Sequence, residues 1–304
     1  TSWLTRKLAF TVLPSVSSLK ARRRVAIPSQ ADRPIIGFGN PLLDGPDARF
    51  AQRARQAREF QKCRETVFER VASLIGFRGG VTPVATRDGP VDLAHLKQQT
   101  PLPETADELC AVARDLGADV RELRLGAKAT ETEIKRLNAR GDLVRYRVVH
   151  FATQGTLAGQ LSGTNEPGLI LTPPDKASEH NDGYLSGSEI ASLKLDADWV
   201  ILSACNTAAG DDKANAEALS GLARAFFYAG ARALLVSHWE VYSDATVKLI
   251  TRSVRAMSDG SVGRAEALRR AMLDMIDSGA PHEAHPSYWA PFVLVGEGAA
   301  AASR

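Results

Sequence analysis

The sequence predicts an open α/β domain with a mostly parallel central sheet and helices on both faces. Three observations predict it. Two near-continuous apolar runs, 146–153 (YRVVHFAT) and 198–204 (DWVILSA), are rich in Val, Ile and Leu, as are strands buried on both faces of a parallel sheet. Runs of strand pattern alternate along the chain with runs of helical periodicity, the signature of a wound α/β sheet. The chain has 304 residues, 44% of them hydrophobic, which suffices for one large core or two small ones.

In chain order, PIIGFG (34–39) reads as a short strand leaving a proline. Residues 47–75 read as one long helix, because Phe50, Ala54, Ala57, Phe60, Val67, Val71 and Leu74 recur at helical spacing among Arg and Glu. Residues 103–117 form a second helix with Gly117 as its C-cap. A strand follows near 119–125. The next helix runs from Thr130 to about Asn138, with Thr130 as N-cap and Glu133 three residues on. GLILT (168–172) reads as a shorter strand between the two long runs. EALSGLARAFFYAG (217–230) is a helix ending at Gly230, ARALLVSHW (231–239) a strand, and 243–257 and 262–278 are helices. YWAPFVLVG (288–296) is a last strand, whose Pro291 sets its start at an edge or bulge.

Bulk properties narrow the function. The net charge is +3, part of it in KARRR (20–24). Without an aromatic or helical pattern around it, that cluster reads as a solvated loop, and no nucleic-acid partner is expected. No apolar run approaches the roughly 18 residues that cross a membrane. The three cysteines, Cys63, Cys110 and Cys205, are odd in number and far apart. No disulfide framework and no metal spacing is expected from them, which favours a reducing, cytoplasmic compartment. The chain opens at TSWLTRKLAF with no initiator Met, so the C-terminal part of a longer protein is expected, with any upstream targeting out of view.

Several motifs are set aside. GFGNPL (37–42) is similar to a dinucleotide loop but lacks the third glycine, and no cofactor is expected. HEAH (282–285) is one residue short of the zinc-protease motif and is flanked by Pro281 and Pro286, so it reads as a loop and no metal is expected. No serine stands in a Gly-x-Ser-x-Gly elbow. His95 and His180 stand in polar, loop-like surroundings without an evident partner.

One constellation survives. Cys205 follows V-I-L-S-A at the carboxyl end of a strand, where sites form in wound sheets. A buried core cysteine is the bland alternative, but the polar, Gly-containing sequel NTAAGDDKANAE puts Cys205 at the rim. On the partner strand, period two sets 150, 152 and 154 on one face. A strand rises about 3.3 Å per residue, so His150 lies about 13 Å below residue 154. If the two strands are parallel neighbours, position 154 faces Cys205 and His150 does not. Position 154 is glutamine, which cannot accept a proton. Gly155 would offer a backbone N–H to an oxyanion.

At these residues the chain resembles a CHAT domain, a bacterial branch of the caspase–separase–gingipain cysteine peptidases. The resemblance is carried by LPETADEL (102–109), RYRVVHFATQG (145–155), DGYLSGSEI (182–190), DWVILSACNTA (198–208), EALSGLARAFFYAGARALLVSHW (217–239) and HPSYWAPFVLVGEG (285–298). It implies a single caspase-like domain over 1–304, with a lead-in at 1–32 and an α/β core at 33–298. It implies a Cys–His dyad whose nucleophile is Cys205. The usual family string His-Phe-Ala-Thr-His-Gly sets its second histidine on Gln154, so the chain departs from the family at the general base. His150 matches the first histidine and reads as supporting, or as an alternative base. SHWEV (237–241) matches a segment that lines the substrate groove in relatives, which makes Trp239 a candidate groove wall, with core packing as the competing reading. Asp182, Glu217 and Asp244 are candidate acids for a basic-residue pocket, although helix and loop positions explain them equally well. The partners implied are a peptide or protein substrate, and repeat domains or a regulatory partner. Three functional readings stand open: a cysteine endopeptidase inactivated by substitution at 154, a natural pseudoprotease that binds peptide or protein, and an active peptidase that uses His150.

Overall fold

The computed structural model describes residues 3–13, 29–63, 91–161, 164–178, 180–203, 217–237, 242–257 and 261–298, without the side chains of 217–220 and 243. In chain order its elements are β1 (Arg33–Gly39), α1 (Ala51–Glu59), α2 (Leu93–Lys97), α3 (Glu104–Asp115), β2 (Leu123–Leu125), α4 (Glu131–Ala139), β3 (Tyr146–Ala152), β4 (Gln154–Thr156), β5 (Gly168–Ile170) and β6 (Tyr184–Ser186). They continue with α5 (Gly187–Ala191), β7 (Trp199–Leu202), α6 (Glu217–Ala229), β8 (Ala233–Ser237), α7 (Ser243–Met257), α8 (Arg264–Ser278), α9 (Pro286–Trp289) and β9 (Phe292–Gly296).

Six strands form the central sheet in the order β2-β1-β3-β7-β8-β9. All neighbours pair in parallel except β8 and β9. The expected parallel trio at 146–153, 198–204 and 231–237 is therefore present as β3, β7 and β8. Both faces are covered. One face carries Ile36, Phe38, Val149, Phe151, Val200 and Leu234, packed with Ile134 of α4 and Phe226 of α6. The other carries Ile35, Val148, Ala152, Trp199, Ile201 and Leu235, packed with α3, α7 and α8 through Leu109, Leu249 and Leu268. This double burial is why the strand sequences run apolar without alternation.

Local signals explain several boundaries. Thr130 accepts from the Glu133 N–H at 3.1 Å and caps α4 as expected. α3 is capped at Leu116 and followed by Gly117, whose φ of +62° suits glycine. Gly37 lies so close beneath α3 that a Cβ there would stand 2.7 Å from Leu109 Cδ2, so the glycine lets the helix approach. Pro291 stands just before β9, an edge strand of the sheet. Val12 covers part of that edge, donating to Leu294 O and accepting from Gly296 N.

Other expectations are corrected. The long helix expected over 47–75 is a turn of 3₁₀ helix followed by α1, which ends at Glu59; residues 64–90 lie outside the described residues. The Asn40 amide donates to the carbonyls of Ala57 and Phe60, at 2.7 and 2.9 Å, and so satisfies the end of that helix early. Cys63 and Cys110, expected as separate thiols, form a disulfide with a Cα separation of 5.7 Å. Spacing could not reveal it, because the bond links α3 to the segment after α1 across 47 residues. GLILT gives β5, in a second, antiparallel sheet of order β4-β5-β6. HEAH is a 3₁₀ turn entered through Pro281. His95, expected in a loop, stands buried in α2 with neither ring nitrogen partnered among the described residues. The basic cluster at 20–24 lies outside the described residues.

Candidate active site

The parallel pairing of β3 and β7 sets Val148 opposite Trp199, His150 opposite Ile201 and Phe151 opposite Leu202. The offset between paired residues is 51 throughout the described register. Cys205 and Trp239 themselves lie outside the described residues. Ser203 N donates to Phe151 O at 3.0 Å and is the last described residue of that path.

Alternation puts Val148, His150 and Ala152 toward α3. The backbone then breaks at Thr153, whose hydroxyl donates to the Ile170 carbonyl, and resumes at Gln154 as the first residue of β4. Gln154 nevertheless keeps to the same side. Its Nε2 donates to the carbonyl of Thr100, just ahead of α3, at 2.6 Å. It is not an exposed rim residue as expected: only 1% of it is accessible. Its Oε1 is buried with no hydrogen-bond partner among the described residues. Gly155 is also buried, opposite Leu169 in the small sheet.

The loop carrying Thr100 is fixed from both ends. Thr105 Oγ1 accepts from Asn40 N at 2.8 Å and donates to Leu102 O at 2.7 Å. Arg53 pairs with Glu104 at 2.7 Å. The LPET stretch is thus held between the end of β1 and the start of β4.

His150 lies one layer deeper and is fully buried. Its Nε2 is 2.8 Å from Glu108 Oε1 and 3.0 Å from Ser203 Oγ. Its Nδ1 has no partner among the described residues. Glu108 and Ser203 are also fully buried. Sequence reasoning passed over Thr100, Glu108 and Ser203. Two of them had a signal: Glu108 is a charge inside the buried stripe of α3 between Thr105 and Val112, and Ser203 interrupts an apolar strand run.

The candidate pocket acids do not converge among the described residues. Half-buried Asp182 accepts from Tyr184 N at 2.9 Å, and its own N–H donates to Glu131 at 2.9 Å. Burial pushes its carboxyl above the usual range, against the bond from Tyr184. Asp244 lies in the first turn of α7, grouped with His282 and Glu283. There the Lys248 ammonium already pairs with Glu283, so a lysine supplies the positive charge. Glu217 begins α6, and its side chain lies outside the description.

The sheet order and the helices on both faces define an open, mostly parallel α/β domain. The CHAT domain family model matches residues 1–297, and the chain belongs to that family. It is similar to tetratricopeptide repeat protein 28 of Mus musculus, 28% identical over 223 residues, covering 64% of this chain and 9% of that protein. For the Homo sapiens protein of the same name the identity is 26% over 223 residues, covering 64% and 8%. The chain therefore spans less than a tenth of the curated relatives it matches. Among solved structures it is similar to the Arg-specific cysteine proteinase gingipain R, with a TM-score of 0.40, 10% identity and coverage of 73% of this chain and 45% of that one. It is also similar to the complex of Porphyromonas gingivalis RgpB pro- and mature domains, with a TM-score of 0.40, 8% identity and coverage of 94% and 70%. Among the described residues, no helix is long and apolar enough to cross a membrane.

Proposed function

We propose that this is a caspase-like cysteine endopeptidase domain with Cys205 as nucleophile, in which Gln154 occupies the position of the general base. Peptide hydrolysis by the chain as given is then lost or strongly impaired, while a peptide or protein can still be held. In the intact chemistry a thiolate attacks the peptide carbonyl, and an imidazole takes and returns the proton. The backbone N–H groups of Gly155 and Cys205 would face the oxyanion. An unperturbed thiol of pKa about 8.5 is only a few per cent ionised near neutral pH, so loss of the base weighs heavily.

The observation that carries this reading is the bond from Gln154 to Thr100. A neutral imidazole at 154 would have one N–H for that carbonyl and one bare nitrogen left over. The amide fills the first role only. The depth of His150, four residues below position 154 with its Nε2 engaged by Ser203, speaks against its use as the base, because a base must reach the reacting atoms. The repeat-protein names of the relatives support a setting in which repeat domains or a protein partner accompany this domain.

The test is cleavage of a mixed peptide library by Gln154→His. Activity is expected to appear and to vanish on adding Cys205→Ala. If the chain as given already cleaves and loses that activity with His150→Ala, His150 is the base and this assignment falls.

A further inference from the structure

α1 brings little apolar surface to the domain. It has nine residues, AQRARQARE, of which only Ala54 and Ala57 are buried. Apolar stabilisation scales with the area removed from water, and a methyl group is the smallest side chain that contributes. A helix of this length is also too short to persist alone in water. Its hold comes from its end and its flank. At the end, the Asn40 amide takes the carbonyls of Ala57 and Phe60. Phe60 and Cys63 pack, half-buried, against the core cluster that includes Leu109 and Cys110. Inside that contact stands the covalent tie from Cys63 to Cys110 of α3. On the flank, Arg53 donates to the Pro101 carbonyl at 3.1 Å and pairs with Glu104 at 2.7 Å. Pro101 follows Thr100, whose carbonyl holds Gln154, and Glu104 opens α3. α1 therefore connects the disulfide to the loop that covers the buried strand end.

We propose that Cys63–Cys110 is a redox latch: oxidised, it holds α1 on α3 and, through Arg53, steadies the loop over Gln154; reduced, it lets α1 come away and loosens that loop. The two sulfurs differ in access. Cys63 is half-buried, whereas Cys110 is 3% exposed. A dithiol reductant therefore attacks Cys63 Sγ, and Cys110 leaves as a thiolate that takes up a proton. The second thiol of the reductant then displaces Cys63. The products are two protein thiols and the disulfide of the reductant, whose two thiols supply both electrons and both protons. Segments with few buried apolar contacts are the first to open locally while a core stays folded, and α1 is such a segment. The sheet does not depend on it, because β3, β7 and β8 are packed on both faces by α3, α4, α6, α7 and α8.

The test is amide hydrogen exchange of the full chain with and without dithiothreitol, with iodoacetamide labelling of Cys63 and Cys110 to confirm the reduction. Reduction is expected to raise exchange in α1 at least about tenfold more than in β3 and β7, because losing the cross-link frees the open form of α1. The amides of Thr105 and Ala106, which close onto Leu102 and Pro103, are expected to follow by a smaller factor. Cys63→Ala combined with Cys110→Ala should exchange like the reduced chain and ignore dithiothreitol. A rise shared equally by α1, β3 and β7, or none in α1, overturns the latch. So does a response to dithiothreitol that persists in the double variant. Release of α1 with Thr105 and Ala106 unmoved overturns the coupling to the loop. The readout needs no peptidase activity, so it stands or falls apart from the assignment of the nucleophile and of the base.

Discussion

His150 and Gln154 lie on one side of the same strand path, four residues apart, and both are buried, yet their surroundings differ in kind. His150 has its Nε2 against two polar partners from separate elements, one of them a carboxylate. Gln154 has one bond to a main-chain carbonyl and a buried oxygen without a partner among the described residues. A buried orphan acceptor costs about 1–3 kcal/mol. The lower layer joins side chains from a helix and two strands inside the fold. The upper layer leaves one end of its side chain without a partner among the described residues. Burial alone does not separate structural from chemical roles at this strand end; the number and source of partners does.

The largest expected effect comes from completing the upper layer. Gln154→His should raise peptide cleavage by about 10²–10⁴-fold over the chain as given, the usual worth of general acid–base assistance. The gained rate should rise with pH as an imidazole near pH 6.5 loses its proton, and a pH–rate profile checks this. A gain without that titration would break the contrast between the layers.

Breaking the lower layer should cost folding energy instead. His150→Leu alone takes the hydrogen-bond partner from the buried Ser203 hydroxyl and should lower stability by about 1–3 kcal/mol, read by urea unfolding. A cost as small as that of a surface change would mean that the lower layer does not join these elements. The disulfide tests whether α3 must be tethered for either layer. Reduction of Cys63–Cys110, which closes a span of 47 residues, should cost about 2–4 kcal/mol, read as a drop in Tm with added reductant. Before reduction, Cys205 should be the only thiol that iodoacetamide labels.

Gln154→Leu should be close to neutral, within about 1 kcal/mol, because it gives up one hydrogen bond and also removes the orphan oxygen. A loss as large as that of His150→Leu would erase the distinction drawn here. The smallest effect lies outside both layers. The hydrogen bond from Arg269, opposed by burial and supported by a further bond from Arg270, holds the Glu266 carboxyl down at about 2. Its folded value is depressed, so its contribution is present above the ordinary value of 4.5 and is lost as the pH falls toward 2. Arg270→Ala should flatten the acid limb of the stability–pH curve slightly, while Gln154→Leu should leave its shape alone.

The sequence by itself determined the parallel core of the sheet and most of the helices, and it offered a candidate position for the base. Strands buried on both faces must be apolar along their whole length, and that pattern is readable at 146–153 and 198–204 without coordinates. Period two and the shared family string likewise set residue 154, and not 150, at the strand end. What only the tertiary structure decided are the contacts between residues far apart in the chain. The spacing of Cys63 and Cys110 carries no trace of the disulfide between them. The early end of α1 depends on Asn40 reaching it from the end of β1. Whether Gln154 sits in water or under Thr100 is set by the LPET loop folding back over the strand end. Glu108 and Ser203 each look like a local irregularity in an apolar pattern. They become a cluster only because α3 lies across β3 and β7, and no one-dimensional periodicity encodes which helix lies across which strand.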